Sequence, residues 1–453
     1  MRSASPHPSR RSRSVVVAFA VVPLALAVAG PAAADSPWSS PKTVGPSGIE
    51  LNQFVVGTHG ASLVYGYGSD SELVPVSAAG RPGKVRRVPN VSEISGSGDR
   101  AVYLRSATRD GPQGVSFGDL GARSLGALHL VTRGKELAED LVVGPGGHVL
   151  VVVAAKTPPD EGITSANERY RLAWSTAGHR SRWSSLPVPG RAALLDATLD
   201  RRGAGVLLLQ HATRTGYVVA ARTFDLRTRR LGPERTLDHT KYDSIDGSVS
   251  VDEHGGAVLA WGIQDGGEEA DHPYVVRAAF RRRGRTTYTS AVTLDPGGTR
   301  ERPGGVPQTA MDDQGRAAVA WTQAIGELDG PTSPRVAVAT RTDRFGPTTA
   351  LLPEGYVNLI AVHGGTTAVS VTGSAVAFDP KTNSLDAPPP TVAGVAFRRD
   401  AGPFGAIEPV ATATPGDRGG LLIDSGTTGF RAVWEGARAE NKPALRWASR
   451  PLG

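Results

Sequence analysis

The 453-residue sequence contains no cysteine. Disulfides, thiolate zinc sites, iron–sulfur clusters and a cysteine nucleophile are excluded with it. Long apolar runs are missing too: Val15–Ala29 is interrupted by Pro23 and is too short to span a bilayer comfortably. No H-E-x-x-H, P-loop or EF-hand spacing occurs, and no basic run carries interleaved aromatics. Glycine (56) and proline (34) are abundant, nearly one residue in five, which argues against a mainly helical chain. Hydrophobic residues at 39% still allow a packed core.

The first 34 residues have the layout of a secretory signal peptide. Arg2, Arg10, Arg11 and Arg13 form a basic start without an acid, and the apolar run leads to Ala32-Ala33-Ala34 before Asp35. Cleavage is expected after Ala34, export to the cell exterior follows, and the mature chain has no membrane span. Arg10-Arg11 hints only weakly at twin-arginine export, because Arg13 and Ser14 stand where that signal wants apolar residues. Four of the 50 basic residues lie in this leader, leaving 46 against 43 acidic, a net charge of +3 for the mature chain. Spread over that length, +3 is no nucleic-acid footprint.

The mature chain repeats. Asp200-Arg201-Arg202-Gly203, Asp252-Glu253-His254-Gly255 and Asp312-Asp313-Gln314-Gly315 each lead into a short apolar run, the glycines 52 and 60 residues apart. In such a turn the Asp side chain caps backbone N–H groups and Gly takes the left-handed position that re-enters a strand. Looser copies precede Val149–Val153, Ala101–Leu104, Leu63–Tyr65 and Phe430–Trp434. A second marker, x-Ala-x-Arg, ends at Arg222, Arg281, Arg341, Arg398 and Arg450, at intervals of 59, 60, 57 and 52. It reads as a half-buried strand whose last side chain leaves the sheet for water. A third marker opens an extended segment: Leu231-Gly232-Pro233, Phe345-Gly346-Pro347, Phe404-Gly405-Ala406, and the tryptophan variants at Trp183 and Trp38.

These markers define four strands per unit, a to d, with the Asp turn between a and b. Eight units are counted, with seven as the alternative because units one, two and seven are degenerate. The last unit stops after its third strand, and Trp38–Val44 supplies the missing fourth. The expected fold is therefore an all-β, eight-bladed β-propeller over residues 35–453, closed by its N-terminal strand, with a tandem of β-sandwiches as the structural alternative. The repeats resemble those of bacterial secreted β-propellers, broadly sialidase-like. The aspartate turn here is one residue longer than the sialidase Asp box and falls between different strands, and no three arginines can be assigned as a carboxylate clamp. The resemblance implies the fold and places no catalytic residue.

Gly114-Val115-Ser116-Phe117-Gly118 matches a nucleophile elbow in letters, without the helix that motif requires. Trp261, Trp321 and Trp434 recur in strand b and read as core. One asymmetry points to a site. The a–b turns are tight, whereas several connections on the opposite rim are long and polar, which is where rigid scaffolds place ligand-binding groups. The stretch before unit five has Asp238, His239, Tyr242, Asp243 and Asp246. Unit five's own loop has Asp265, Glu268, Glu269, Asp271 and His272, and the next connection has Arg300 and Arg302. The acids at 265–271 offer oxygen ligands suited to Ca²⁺, but their spacing matches no metal loop. No metal or cofactor is assigned. The reading that results is a monomeric, exported, non-catalytic propeller binding an extracellular protein, peptide or glycan. The alternative is a carbohydrate-active hydrolase or lyase, which needs a carboxyl pair near the channel mouth.

Overall fold

The computed structural model describes residues 38–39, 42–43 and 51–451, less 58–59, 66–70, 78, 89, 98–99, 107, 109–110, 120–124, 156–167, 177–181, 242–243, 265–273, 296–305, 325–331, 340–343, 375–390, 414–421, 427–428 and 440–441. Residues 1–34, read from the sequence as an expected leader, lie outside the described residues.

The described strands form eight four-stranded antiparallel sheets, seven of them simple meanders and the eighth closed by a strand from the N-terminal end of the chain. Blade 1 runs from Leu51 to Arg87, blade 2 from Val91 to Leu130, blade 3 from Glu136 to Pro187 and blade 4 from Ala193 to Thr240. Blade 5 spans Ser244–Asp295, blade 6 Gln308–Ala350 and blade 7 Glu354–Ala413. Blade 8 contains Leu422–Gly426, Gly429–Ala439 and Lys442–Pro451, completed by Lys42–Thr43. Each first strand touches the first strand of the next blade, and that of blade 8 meets that of blade 1. The chain is a β-propeller.

Closure follows the expected register. Lys42 pairs with Trp447 and Thr43 with Arg446. The Ser39 N–H donates to the Ser449 carbonyl at 2.8 Å, and the Ser449 N–H donates to Ser39 Oγ at 2.9 Å. Trp38 is 6% exposed and packs with Phe397 and Phe430. The segment from Trp38 to Thr43 thus covers an edge that would otherwise present unpaired backbone groups.

The turns form as their chemistry requires. Asp200 Oδ1 accepts the N–H groups of Arg202 and Ala204, Asp252 Oδ1 those of His254 and Gly256, and Asp312 Oδ1 those of Gln314 and Arg316, all at 2.8–2.9 Å. Gly203, Gly255 and Gly315 hold φ of 82°, 79° and 80°, the left-handed region where a side chain is strained. Each turn sits between strands a and b.

The second strands are apolar without alternation because both of their faces are covered. In blade 3, Val149, Val151 and Val153 pack toward blade 2, while Leu150, Val152 and Ala154 pack toward blade 4. Trp261 and Trp321 are fully buried in the same strand of blades 5 and 6. Burial of each such side chain contributes about 1.5–3 kcal/mol, so the interfaces between blades, rather than any one sheet, hold the ring together.

The second marker needs correction on two counts. Its arginines lie in or just beyond third strands but at different ladder positions: Arg281 faces Ala257 and Arg398 faces Thr367, whereas Arg222 faces Leu207 and Arg450 faces Phe430. Nor do they run into water. Arg222 pairs with Glu234 at 2.9 Å, Arg281 Nε donates to the Gly255 carbonyl at 3.0 Å, and Arg450 forks onto Glu408 of blade 7 at 2.8 and 2.9 Å while lying over Phe397. A guanidinium offers five donors, and partial burial between blades obliges it to use them. Arg341 lies outside the described residues.

Candidate functional site

Connections b–c and d–a share one rim. Of the residues expected there, Tyr242, Asp243, Asp265, Glu268, Glu269, Asp271, His272, Arg300 and Arg302 lie outside the described residues. Asp238 and His239 fall inside the last strand of blade 4, and Asp246 inside the first strand of blade 5. His239 is exposed. Asp238 is not: its side chain is 10% exposed, and both carboxylate oxygens accept from Arg277 Nη1, at 2.8 and 2.7 Å. Oδ2 also accepts from Trp261 Nε1 at 3.3 Å. Arg277 stands opposite Trp261 in the ladder, so one carboxylate ties blade 4 to two strands of blade 5. A related latch joins blades 2 and 3, where Arg171 pairs with Glu136 and donates to the Val131 carbonyl at 2.6 Å.

Ser116, the serine of the elbow-like motif, lies mid-strand and is fully buried, with Arg105 donating to its Oγ at 3.3 Å. A nucleophile elbow needs an exposed oxygen on a sharp turn, and this position has neither.

The innermost strands carry a polar belt that the sequence reading did not single out. Glu93 of blade 2 accepts the N–H of Leu141 in blade 3 at 3.2 Å. Asp140 of blade 3 stands at the equivalent position, its Oδ2 buried without a hydrogen-bond partner among the described residues, while the Ala197 N–H of blade 4 donates to Asp196 Oδ1 at 2.8 Å. Asp196 of blade 4 accepts that of Val249 in blade 5 at 2.6 Å. Ser248 of blade 5 accepts that of Thr309 in blade 6 at 3.1 Å, and Gln308 Nε2 of blade 6 donates to the Asn358 carbonyl of blade 7 at 2.8 Å. A bulge beside Glu93, Asp140 and Asp196 frees the strand to turn each carboxylate toward its neighbour. The signal was present: Asp140, Asp196, Ser248 and Gln308 each stand four residues ahead of the turn that opens at Gly144, Asp200, Asp252 or Asp312.

Three carboxyls on consecutive blades with no cation between them are costly to ionise. The residues retain partial exposure on the innermost strands. Burial, followed by the charge of Asp140, pushes Glu93 up to about 8. Burial likewise raises Asp196, with the Asp140 charge adding to it, and it raises Asp140 against the N–H groups of Leu141 and Ala197. Asp246 is raised by burial. Among the described residues no group of three or more histidines and carboxylates is placed to hold a metal ion.

No family model and no curated protein matches the sequence. Solved structures do. An ulvan lyase of a polysaccharide lyase family is 9% identical, with 87% of this chain and 95% of that one covered and a TM-score of 0.46. A prolyl endopeptidase is 13% identical, covering 88% of this chain and 54% of that one, with a TM-score of 0.45. The α-L-arabinanase of Penicillium chrysogenum is 9% identical, covering 70% and 93%, with a TM-score of 0.36. At such identities the likeness concerns fold, and no residue role is carried over.

Proposed function

We propose that the chain is exported by residues 1–34, released after Ala34, and acts outside the cell as a monomeric, non-catalytic propeller that binds an extracellular protein, peptide or glycan. The observation that carries this reading is the use to which the central carboxyls are put. Glu93 and Asp196 each cap a backbone N–H of the next blade, and Asp238 is held by Arg277 and Trp261. These groups contribute to a rigid ring, which suits a scaffold that presents rim residues. The test is retention of a defined partner from cell-wall material or secreted proteins by the purified mature chain, with no product released from a polysaccharide panel. Turnover that disappears in Glu93→Gln would overturn it. Edman sequencing of secreted protein should begin at Asp35; a start elsewhere refutes the leader assignment.

One observation favours the carbohydrate-active alternative. Glu93 stays protonated near neutral pH beside Asp140, and a general acid paired with a second carboxyl is what glycoside cleavage asks for. Under this reading Glu93→Gln and Asp140→Asn each abolish turnover while leaving the ring folded. Full activity in both variants would end it.

A further inference from the structure

The opposite rim, made of the tight a–b and c–d turns, is where positive charge collects. Hydrogen bonds and ion pairs join its turns into one arc across blades 4, 5 and 6. The Leu226 N–H donates to the Gly203 carbonyl, Arg201 reaches Glu253 at 3.4 Å, and Arg281 holds the Gly255 carbonyl. Arg283 then binds Asp252 and the Asp313 carbonyl of blade 6. Along this arc most acids are already engaged. Asp200 and Asp225 cap the backbone of their own turns, Asp252 has a fully buried side chain paired with Arg283, and Glu253 faces Arg201. Asp313 is the exception, with an exposed side chain. Against it stand Arg227, Arg229, Arg230 and Arg285, all exposed and without a salt bridge among the described residues, and Arg202, exposed beside Asp200. Arg229 holds a φ of 57°, a left-handed position where glycine or asparagine would be cheaper.

Beside Arg285 the c–d connection of blade 5 encloses a recess of about 320 Å³ lined by Phe280, Arg282, Arg285, Thr287, Tyr288 and Thr289. Its polar lining is rich in donors. The Tyr288 hydroxyl is buried and has no acceptor among the described residues, and burial raises its pKa against the opposing charge of Arg281, so it keeps its proton. The guanidinium of Arg281 lies 5.8 Å from the Tyr288 ring centroid and can only donate. No carboxylate lines the recess. A buried hydroxyl donor without an acceptor is costly, and guanidinium groups favour carboxylate, sulfate or phosphate oxygens. The half-buried Tyr288 ring adds an apolar surface of the kind that accepts the face of a sugar ring, while Phe280 behind it is core, stacked on Phe345.

We propose that this arginine arc binds an anionic polysaccharide, seating a carboxylate or sulfate of one sugar in the Tyr288 recess while the chain runs along Arg227, Arg229 and Arg230. This deepens the binding reading by naming a ligand class, on the rim opposite the long loops. The two can fail separately, because cleavage of the polysaccharide would refute a non-catalytic role and leave the arc's affinity standing.

The test is calorimetric titration of the mature chain with polygalacturonate and dextran sulfate, with neutral dextran, polyphosphate and a short DNA duplex as competing classes. Binding to the acidic glycans should weaken with salt and be absent for neutral dextran. The triple variant R227Q/R229Q/R285Q should lose affinity about tenfold or more, since three charge-assisted contacts go. Lys135→Gln, a charge removal in the connection between blades 2 and 3 on the other rim, should change nothing. All three arginines are exposed and unpaired, so the triple variant should keep the wild-type melting temperature. Tyr288→Phe should weaken polygalacturonate several-fold without affecting polyphosphate. Unchanged affinity in the triple variant, equal loss in Lys135→Gln, equal binding of neutral dextran, or tighter binding of polyphosphate or DNA than of either acidic glycan each overturns the proposal.

Discussion

Glu93→Gln isolates the energetic effect of one buried carboxyl. In the native ring Glu93 titrates near 8, against an ordinary value of 4.5, because burial and the Asp140 charge disfavour ionisation. The folded chain therefore holds a proton that the unfolded chain releases between those two values. The associated stability is complete below pH 4.5 and is lost as pH rises through about 8. Realised in full, the difference amounts to about 5 kcal/mol, and relaxation of the channel and water entry reduce it to roughly 2–4 kcal/mol. For a mature chain of about 400 residues, 1 kcal/mol moves the melting temperature by roughly 1 °C. Glutamine keeps an oxygen for the Leu141 N–H and cannot ionise. Scanning calorimetry from pH 5 to 9 should show the wild-type melting temperature falling by a few degrees more than that of Glu93→Gln. Parallel profiles for the two proteins, or a wild-type profile that falls less steeply than the variant's, would refute the assignment of Glu93 as a protonated interblade cap.

Trp38→Ala should destabilise the ring by about 3–5 kcal/mol and, by loosening the closing strand, raise aggregation in light scattering; an unchanged melting temperature would contradict the closure. Asp252→Ala removes two backbone caps and the Arg283 partner inside the fold, so denaturant titration should register a loss of about 2–4 kcal/mol, whereas Glu253→Ala at the half-buried neighbour, which loses only a long surface ion pair, should stay within about 0.5 kcal/mol. Gly255→Ala meets open space, so its cost should be only the backbone strain at φ 79°, about 1 kcal/mol by the same titration. A double-mutant cycle with Asp238→Asn and Arg277→Met should return a coupling of about 1–3 kcal/mol; additive effects would mean that the latch between blades 4 and 5 contributes nothing.

Fold and closure were legible because the forces that set them are local. An aspartate capping the N–H groups two and four residues ahead, with glycine in the left-handed position, acts within one turn, and unbroken apolar strands signal sheets covered on both faces. Markers that recur on this spacing then count blades. The arginine marker misled for the same reason: its letters recur at similar intervals, yet bulges and turns of differing length shift Arg222, Arg281 and Arg450 to different ladder positions. Asp238 and Asp246 looked like loop residues because they flank a polar connection, and the ladders continue through both.

By itself, then, the sequence determined the strand pattern, the aspartate turns and the pairing of Trp38–Thr43 with the last blade. Tertiary structure alone decided which charged groups meet. Glu93 and Leu141 are 48 residues apart, Asp196 and Val249 53, and Asp238 and Arg277 39, so each contact depends on how one blade packs on the next. The arginine rim was invisible for a related reason. A net charge of +7 averages over the whole sequence, whereas alternate reversals of an up-and-down sheet send a–b and c–d turns to one side and sort the charge by rim.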